Sequence, residues 1–290
     1  MNPIPLFIRW SVVSATWLLV ASFSSLLNAA ETKSPAPSDD RAGKNFIATR
    51  VFSAEDDAKV LKAFAGLRVA DVTDGMDFVG LKNIGLMDPE IHPVWKDTKT
   101  YKHRFIGIAV TVRYVPTQRG APPAGLSYEE FRAREGKWYN ELSFEPFAPL
   151  IRAGTAIVID EAPNADVGSI GSNNIMGWKL RGAVGVVTGA TARDTDEVAT
   201  EEMPLYLRKV GRGIRPWRNE VESVNRPVVV GGVLVMPGDV IVADGDGVLV
   251  VPRDVALQVA EFAHKIIAAD KEGRRELYKK LGLPEDSSVK

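Results

Sequence analysis

Arg193 and Asp194 stand next to each other in the chain, and Glu197 follows three residues after Asp194. A guanidinium offers a planar fork of N–H donors that grips a carboxylate, and an aspartate is a hard oxygen ligand able to hold Mg²⁺. Upstream, Gly171-Ser172-Asn173-Asn174 reads as the first turn of a helix, whose free backbone N–H groups form a small anion-binding pocket. Together these residues describe a site for a metal-chelated, carboxylated small molecule. An Arg-Asp dipeptide in a loop is more often a plain surface ion pair, so the residues alone leave both readings open.

The elements that must position them are legible nearby. Gly171-Ser172 closes a loop on an N-cap residue, and Asn173 to Arg181 has helical spacing, with Ile175, Met176 and Leu180 on one side and Gly182 as the stop. Ala183 to Thr188 is a short apolar, β-branched run, the pattern of a buried strand. It empties into Gly189-Ala190-Thr191-Ala192-Arg193-Asp194, which puts the pair at the strand's end. In open α/β folds ligands bind outside the carboxyl ends of strands.

Residues 1–30 carry one basic residue, Arg9, then an apolar stretch from Trp10 to Leu27 and small residues at Asn28-Ala29-Ala30. This predicts a signal peptide and an exported protein, periplasmic or secreted; an uncleaved membrane anchor is the alternative. Residues 31–50 are polar and Pro-containing and predict a disordered linker. The chain has no Cys, which excludes disulfides and thiolate chemistry. A composition 45% hydrophobic and 25% charged, with net charge −1, gives no basic excess and predicts no nucleic-acid partner and no membrane contact beyond the export signal.

One α/β domain is expected over 51–270. Ala54 to Leu67 is helical, with Val60, Leu61, Phe64 and Leu67 on one face. A short helix after it carries Asp71, Asp74 and Asp77, which either cap it and face water or bind a metal. Phe105 to Val115 alternates like a strand, and Arg113 within it is either a satisfied edge residue or a charge aimed at the site. Residues 118–149 form an aromatic, Pro- and Gly-rich insert, a packed surface flap or else a lid or subunit contact. Thr155 to Asp160 is a buried strand, and Val228 to Pro252 reads as a β-meander. Asp254 is expected to cap a helix that turns Ala256, Val259, Ala260, Ala263, Ile266 and Ile267 inward, and 271–290 is a charged helical tail. No glycine-rich nucleotide loop occurs, and His92, His103 and His264 are too scattered for a zinc site.

The segments LRVADVTDGMD, RGAVGVVTGATARDTDE and VMPGDVIVADGDGVLVVP, in that order, make the chain similar to the regulator of ribonuclease activity A (RraA-like) family. That family includes divalent-metal aldolases acting on 4-hydroxy-4-methyl-2-oxoglutarate. The resemblance implies an α/β RraA-like domain, with a central mixed β-structure flanked by helices, assembling as homotrimers or hexamers. It implies a lyase that uses Mg²⁺, Mn²⁺ or another divalent cation to cleave a 4-hydroxy-2-oxo acid to pyruvate and to decarboxylate oxaloacetate. Arg193 would hold substrate carboxylate or keto oxygen, Asp194 would hold the metal mostly through water, and Glu197 would fill the last acidic place of the family pattern. Gly171 to Asn174 would bind the pyruvate carboxylate through backbone amides. The pattern's first acidic place falls on Ser172, and its usual Asp-Gly before the Arg is Gly189-Ala190 here. A serine cannot replace a carboxylate as base, so the alternative is a non-catalytic binding or regulatory protein that keeps the pocket without efficient cleavage.

Overall fold

Period-2 alternation of apolar residues builds a sheet with two buried faces, and helices cover its outer side. The computed structural model describes residues 45–162 and 166–290. The predicted signal peptide and residues 31–44 of the predicted linker lie outside them. Ile47–Lys290 forms one compact unit.

In chain order the elements are α1 (Ala54–Phe64), α2 (Val69–Phe78), β1 (His92–Pro93), β2 (Phe105–Pro116), α3 (Tyr128–Glu141), β3 (Thr155–Glu161), α4 (Ser172–Arg181), β4 (Ala183–Ala192), α5 (Thr195–Thr200), β5 (Leu205–Val210), β6 (Asn219–Val224), β7 (Val228–Val230), β8 (Val233–Val235), β9 (Val240–Asp244), β10 (Gly247–Val251) and α6 (Ala256–Leu281). The main sheet runs β1-β5-β4-β3-β2-β9-β10, with β6 added to β2. β2, β3, β4 and β5 are parallel, as in Ile159 opposite Thr188 and Thr188 opposite Leu207, and the flanking pairs are antiparallel. The sheet is nearly closed: Met87 N–H donates to Val248 C=O and Val250 N–H to Gly85 C=O, while His92–Pro93 pairs with β5.

Alternation sorts the strand residues. Ala156, Val158, Val187, Tyr206, Ile241 and Ala243 point to the interior of the curved sheet. Ile157, Ile159, Val186, Leu205 and Leu207 face out against Ile175 and Trp178 of α4 and Val198 of α5. Ile108, Val240, Val242, Leu249 and Val251 meet α1, α2 and α6.

Several sequence expectations change. β4 continues to Ala192, four residues past Thr188, because its end pairs with Lys209 and Val210 after a register shift. On α4 the buried face is Ile175 and Trp178, whereas Met176 and Leu180 are 53% and 90% exposed. The meander splits: β7–β8 is a separate two-stranded sheet, and only β9–β10 joins the main one. Asp254 does not cap α6, whose N-cap is Val255 after a 3-10 turn; it pairs instead with Arg50. Asp71 is buried against Arg68, while Asp74 and Asp77 are exposed. Arg113 lies on a strand with neighbours on either side and faces Asp160 at 3.5 Å. No helix among the described residues is long and apolar enough to cross a membrane.

Candidate active site

The parallel strands β3, β4 and β5 end on one side of the sheet, at Glu161, Ala192 and Val210. The loop 166–171 returns along this edge, bridging Gly213 through Val167 and Ala192 through Ile170. Arg193 N–H donates to Ile170 C=O at 2.8 Å, so the Arg-Asp pair and the entry to α4 are stitched backbone to backbone.

Two glycines make the approach possible. A Cβ on Gly168 would lie 2.7 Å from Arg193 Cβ and 2.9 Å from its Cγ, and a Cβ on Gly171 would lie 2.7 Å from Asp194 Oδ2. Arg193 therefore rests on Gly168, and Asp194 on Gly171. Asp194 holds a left-handed backbone, φ 58°, at the N-cap of α5. The turn is strained for a residue with a side chain, and it swings the carboxylate back onto the α4 tip.

Ser172 N–H donates to Asp194 Oδ2 at 3.1 Å, and Ser172 Oγ lies 3.4 Å from the same oxygen. The sequence had offered the Ser172 amide to a substrate carboxylate; the fold commits it to Asp194. The amides of Asn173 and Asn174, which have no acceptor within the helix, are the remaining first-turn donors. Asn173 is exposed, and Asn174 Oδ1 accepts the Gly171 N–H at 3.1 Å. Arg193 Nε and Asp194 Oδ1 are 3.7 Å apart, with side chains 40% and 35% exposed. Both keep bonding capacity directed at solvent. Glu197, in the first turn of α5, is exposed.

Residues far away in sequence brace this tip. Glu145, from the insert, accepts from Asn174 Nδ2 at 2.7 Å, Trp178 Nε1 at 2.9 Å and Arg215 Nη2 at 2.6 Å. Arg215 is buried and also donates to Tyr114 Oη at 2.8 Å and Ser143 C=O at 2.9 Å. Burial pushes the Tyr139 phenol of α3 up, and the Arg215 guanidinium lies 5.5 Å from its ring, so the insert packs against this bracing cluster. Glu161 ends β3 beside them, and burial pushes its carboxyl up to about 7 against the hydrogen bonds of Ser169 and Asn219.

Sequence reasoning missed Gly168, Glu145, Glu161, Ser169 and Arg215. The Gly168-x-x-Gly171 spacing was a usable signal; the others carried none.

No group of three or more His, Asp or Glu residues among the described residues is arranged to hold a metal. One carboxylate, 35% exposed, whose Oδ1 takes no hydrogen bond among the described residues and faces Arg193 at 3.7 Å, suits a hard cation that keeps most of its water, as Mg²⁺ does, and does not suit an all-protein cage.

Residues 69–250 match the RraA-like family, Aldolase/RraA. The chain belongs to this family. Protein DlpA of Legionella pneumophila is 27% identical over 219 residues, 72% of this chain and 29% of that protein. A Halalkalibacterium halodurans protein named "Putative 4-hydroxy-4-methyl-2-oxoglutarate aldolase" is 32% identical over 124 residues, 42% of this chain and 58% of that protein. The chain thus spans under two thirds of the length of either relative. Among solved structures, an uncharacterized protein of Pseudomonas syringae pv. tomato superposes with TM-score 0.59 at 25% identity, covering 78% of this chain and 94% of that one.

Proposed function

We propose that this RraA-like protein is a divalent-metal-dependent lyase that cleaves a 4-hydroxy-2-oxo acid to pyruvate and decarboxylates oxaloacetate. The observation that supports it most is the meeting of the α4 tip and the Arg-Asp pair, through Ser172 N–H and Asp194 Oδ2 at 3.1 Å. Arg193 binds the substrate carboxylate or keto oxygen, and the Asn173 and Asn174 amides hold the carboxylate of the pyruvyl half. Asp194 would hold Mg²⁺ or Mn²⁺ through its outer oxygen and through water, with Glu197 adding negative potential from the same turn. A bound divalent cation supplies charge stabilisation at the 2-keto oxygen.

In aldol cleavage the C4 hydroxyl loses its proton, the C3–C4 bond breaks as C4–O becomes a carbonyl and that fragment leaves as a second oxo acid, and C3 of the resulting enolate takes a proton to give pyruvate. Decarboxylation of oxaloacetate breaks the equivalent bond with loss of CO₂ and needs no hydroxyl deprotonation. Ser172 stands where the aldolases of the family have a carboxylate, so the hydroxyl proton must leave through water. General-base help is worth about 10² to 10⁴ in rate, and decarboxylation is accordingly the faster of the two reactions here. Self-association belongs to the same proposal, supported by Met176 and Leu180, exposed on α4 beside the site. Export belongs to it as well, supported by the composition of residues 1–30.

Purified protein with Mg²⁺ or Mn²⁺ is expected to release CO₂ and pyruvate from oxaloacetate, and pyruvate more slowly from 4-hydroxy-2-oxo diacids. Arg193→Ala and Asp194→Ala are each expected to abolish both reactions. Turnover that survives both substitutions refutes the assignment.

A further inference from the structure

Glu161 ends β3, the neighbour of β4, whose last residue Ala192 precedes Arg193, and is 5% exposed. Its Oε1 accepts from Ser169 Oγ at 2.5 Å and from Asn219 Nδ2, which also donates to Ser169 Oγ at 3.0 Å. Its Oε2 and Asn219 Oδ1 are both buried and have no hydrogen-bond partner among the described residues. The carboxyl and the amide therefore each carry one atom bonded to the other group and one orphan. A proton on Oε2 turns that oxygen into a donor, and a carboxylic acid facing a primary amide closes O–H···O=C beside N–H···O=C. As a carboxylate, Glu161 would instead leave both buried acceptors without a donor, a costly arrangement.

The charged group facing Glu161 from outside its strand is Arg215, which favours ionisation, and Asp160 on its own strand opposes it. The Tyr114 phenol on neighbouring β2 is held neutral by burial. The resultant lies with burial.

Ser169 carries the consequence to the site. Gly168 before it supports the Arg193 side chain. Ile170 after it accepts the Arg193 N–H, and Gly171 is the N-cap of α4. Asn219 ties the cluster to the insert as well, since its carbonyl accepts from Trp138 Nε1 at 3.1 Å. Resting on the 2-oxo acid reading above, we infer that Glu161 is a positioning residue: a neutral acid that clamps Ser169 with Asn219 and so fixes the Gly168–Gly171 segment on which Arg193 and the α4 tip are seated. Ionisation strengthens the bonds to Oε1 but strips the two orphan acceptors of their donor and leaves a buried charge that draws water into the cluster, so carboxylate capture weakens as pH rises through neutrality.

Glu161→Gln places a permanent donor where the acid carries its proton. The test combines infrared spectroscopy of the full protein with pyruvate binding in the presence of Mg²⁺, both from pH 6 to 8.5. Wild type is expected to show a protonated-carboxyl band at pH 6 that fades near neutrality and is missing in Glu161→Gln. Its pyruvate affinity is expected to fall about tenfold over that range, while the variant stays within about twofold and binds tighter than wild type at pH 8.5. Wild type that binds pyruvate without that band, or a variant with wild-type pH dependence, overturns the inference and leaves the lyase proposal standing. If the band is present but wild type binds no pyruvate at any pH, the 2-oxo acid site falls and the positioning role falls with it.

Discussion

Two Arg–Asp constellations in this molecule use the same chemistry for opposite ends. Asp57, in the first turn of α1, takes Arg152 Nε at 3.1 Å on one oxygen and Arg253 Nη1 at 2.8 Å on the other, with Asp57 and Arg253 side chains only 6% and 7% exposed. Its two oxygens are engaged, and the cluster ties α1 to the β2–β3 connection and the start of α6. Arg193 and Asp194 are neighbours in sequence, yet they stand 3.7 Å apart and half-exposed, held mostly through backbone and glycine contacts. The structural carboxylate has both oxygens bonded to guanidinium groups and is buried; the Asp194 carboxylate stays part-exposed, where a ligand can reach it.

The contrast breaks most sharply by mutation. Asp57→Ala leaves two guanidinium groups around a lost partner and is expected to destabilise the protein by about 3 to 5 kcal/mol in chemical denaturation. Any activity per folded molecule should be unchanged. Arg193→Ala is expected to do the reverse, with turnover lost by about 10³ or more and a denaturation midpoint close to wild type. Equal stability losses in the two variants would erase the distinction.

Next in size is a pH effect on the buried acids. Burial raises Glu161 to about 7 and Asp239 to about 6, above their unfolded values. A raised carboxyl binds its proton more tightly in the folded state, so its stabilisation is complete below the unfolded pKa and disappears as pH rises through the folded one. Unfolding free energy is expected to drop by roughly 3 kcal/mol from Glu161 between about pH 4.5 and 7. Urea titrations of wild type and Glu161→Gln should diverge in slope against pH; parallel slopes would place the proton elsewhere.

Smaller effects sharpen the picture at the glycines. Gly168→Ala pushes on Arg193, and Gly171→Ala pushes on Asp194, each at 2.7 Å. Each is expected to raise KM for oxaloacetate about tenfold, roughly 1.4 kcal/mol; Gly171→Ala should leave the melting temperature almost unchanged, whereas Gly168→Ala, meeting the anchored Arg193 Cβ, should lower it. Smallest is Leu180→Glu, at a side chain 90% exposed: it should shift sedimentation toward smaller species without altering the fold.

Much of this site was legible locally. The β-branched run before Arg193, the stop at Gly182 and the free amides after Gly171 placed the pair at a strand end beside a helix tip. The inward face of α4 was misread because Met176 and Leu180 fit the helical period as well as Trp178 does. Only the position of the sheet, and Glu145 waiting for the indole N–H, selects Trp178. Glu161 and Asn219, 58 residues apart, carry no mutual signal in the chain.

What the sequence determined by itself was the set of short-range choices: periods, caps, turns and the adjacency of Arg193 and Asp194, because each depends on neighbours a few residues away. The tertiary structure decided which of those groups stay available. The parallel β2–β3 pairing, the antiparallel addition of β6 to β2 and the returning 166–171 loop bring Glu161, Ser169 and Asn219 into one buried cluster, and the left-handed turn at Asp194 spends the Ser172 amide. Burial and long-range pairing set the proton and hydrogen-bond inventory of a site, and neither exists until the strands are side by side.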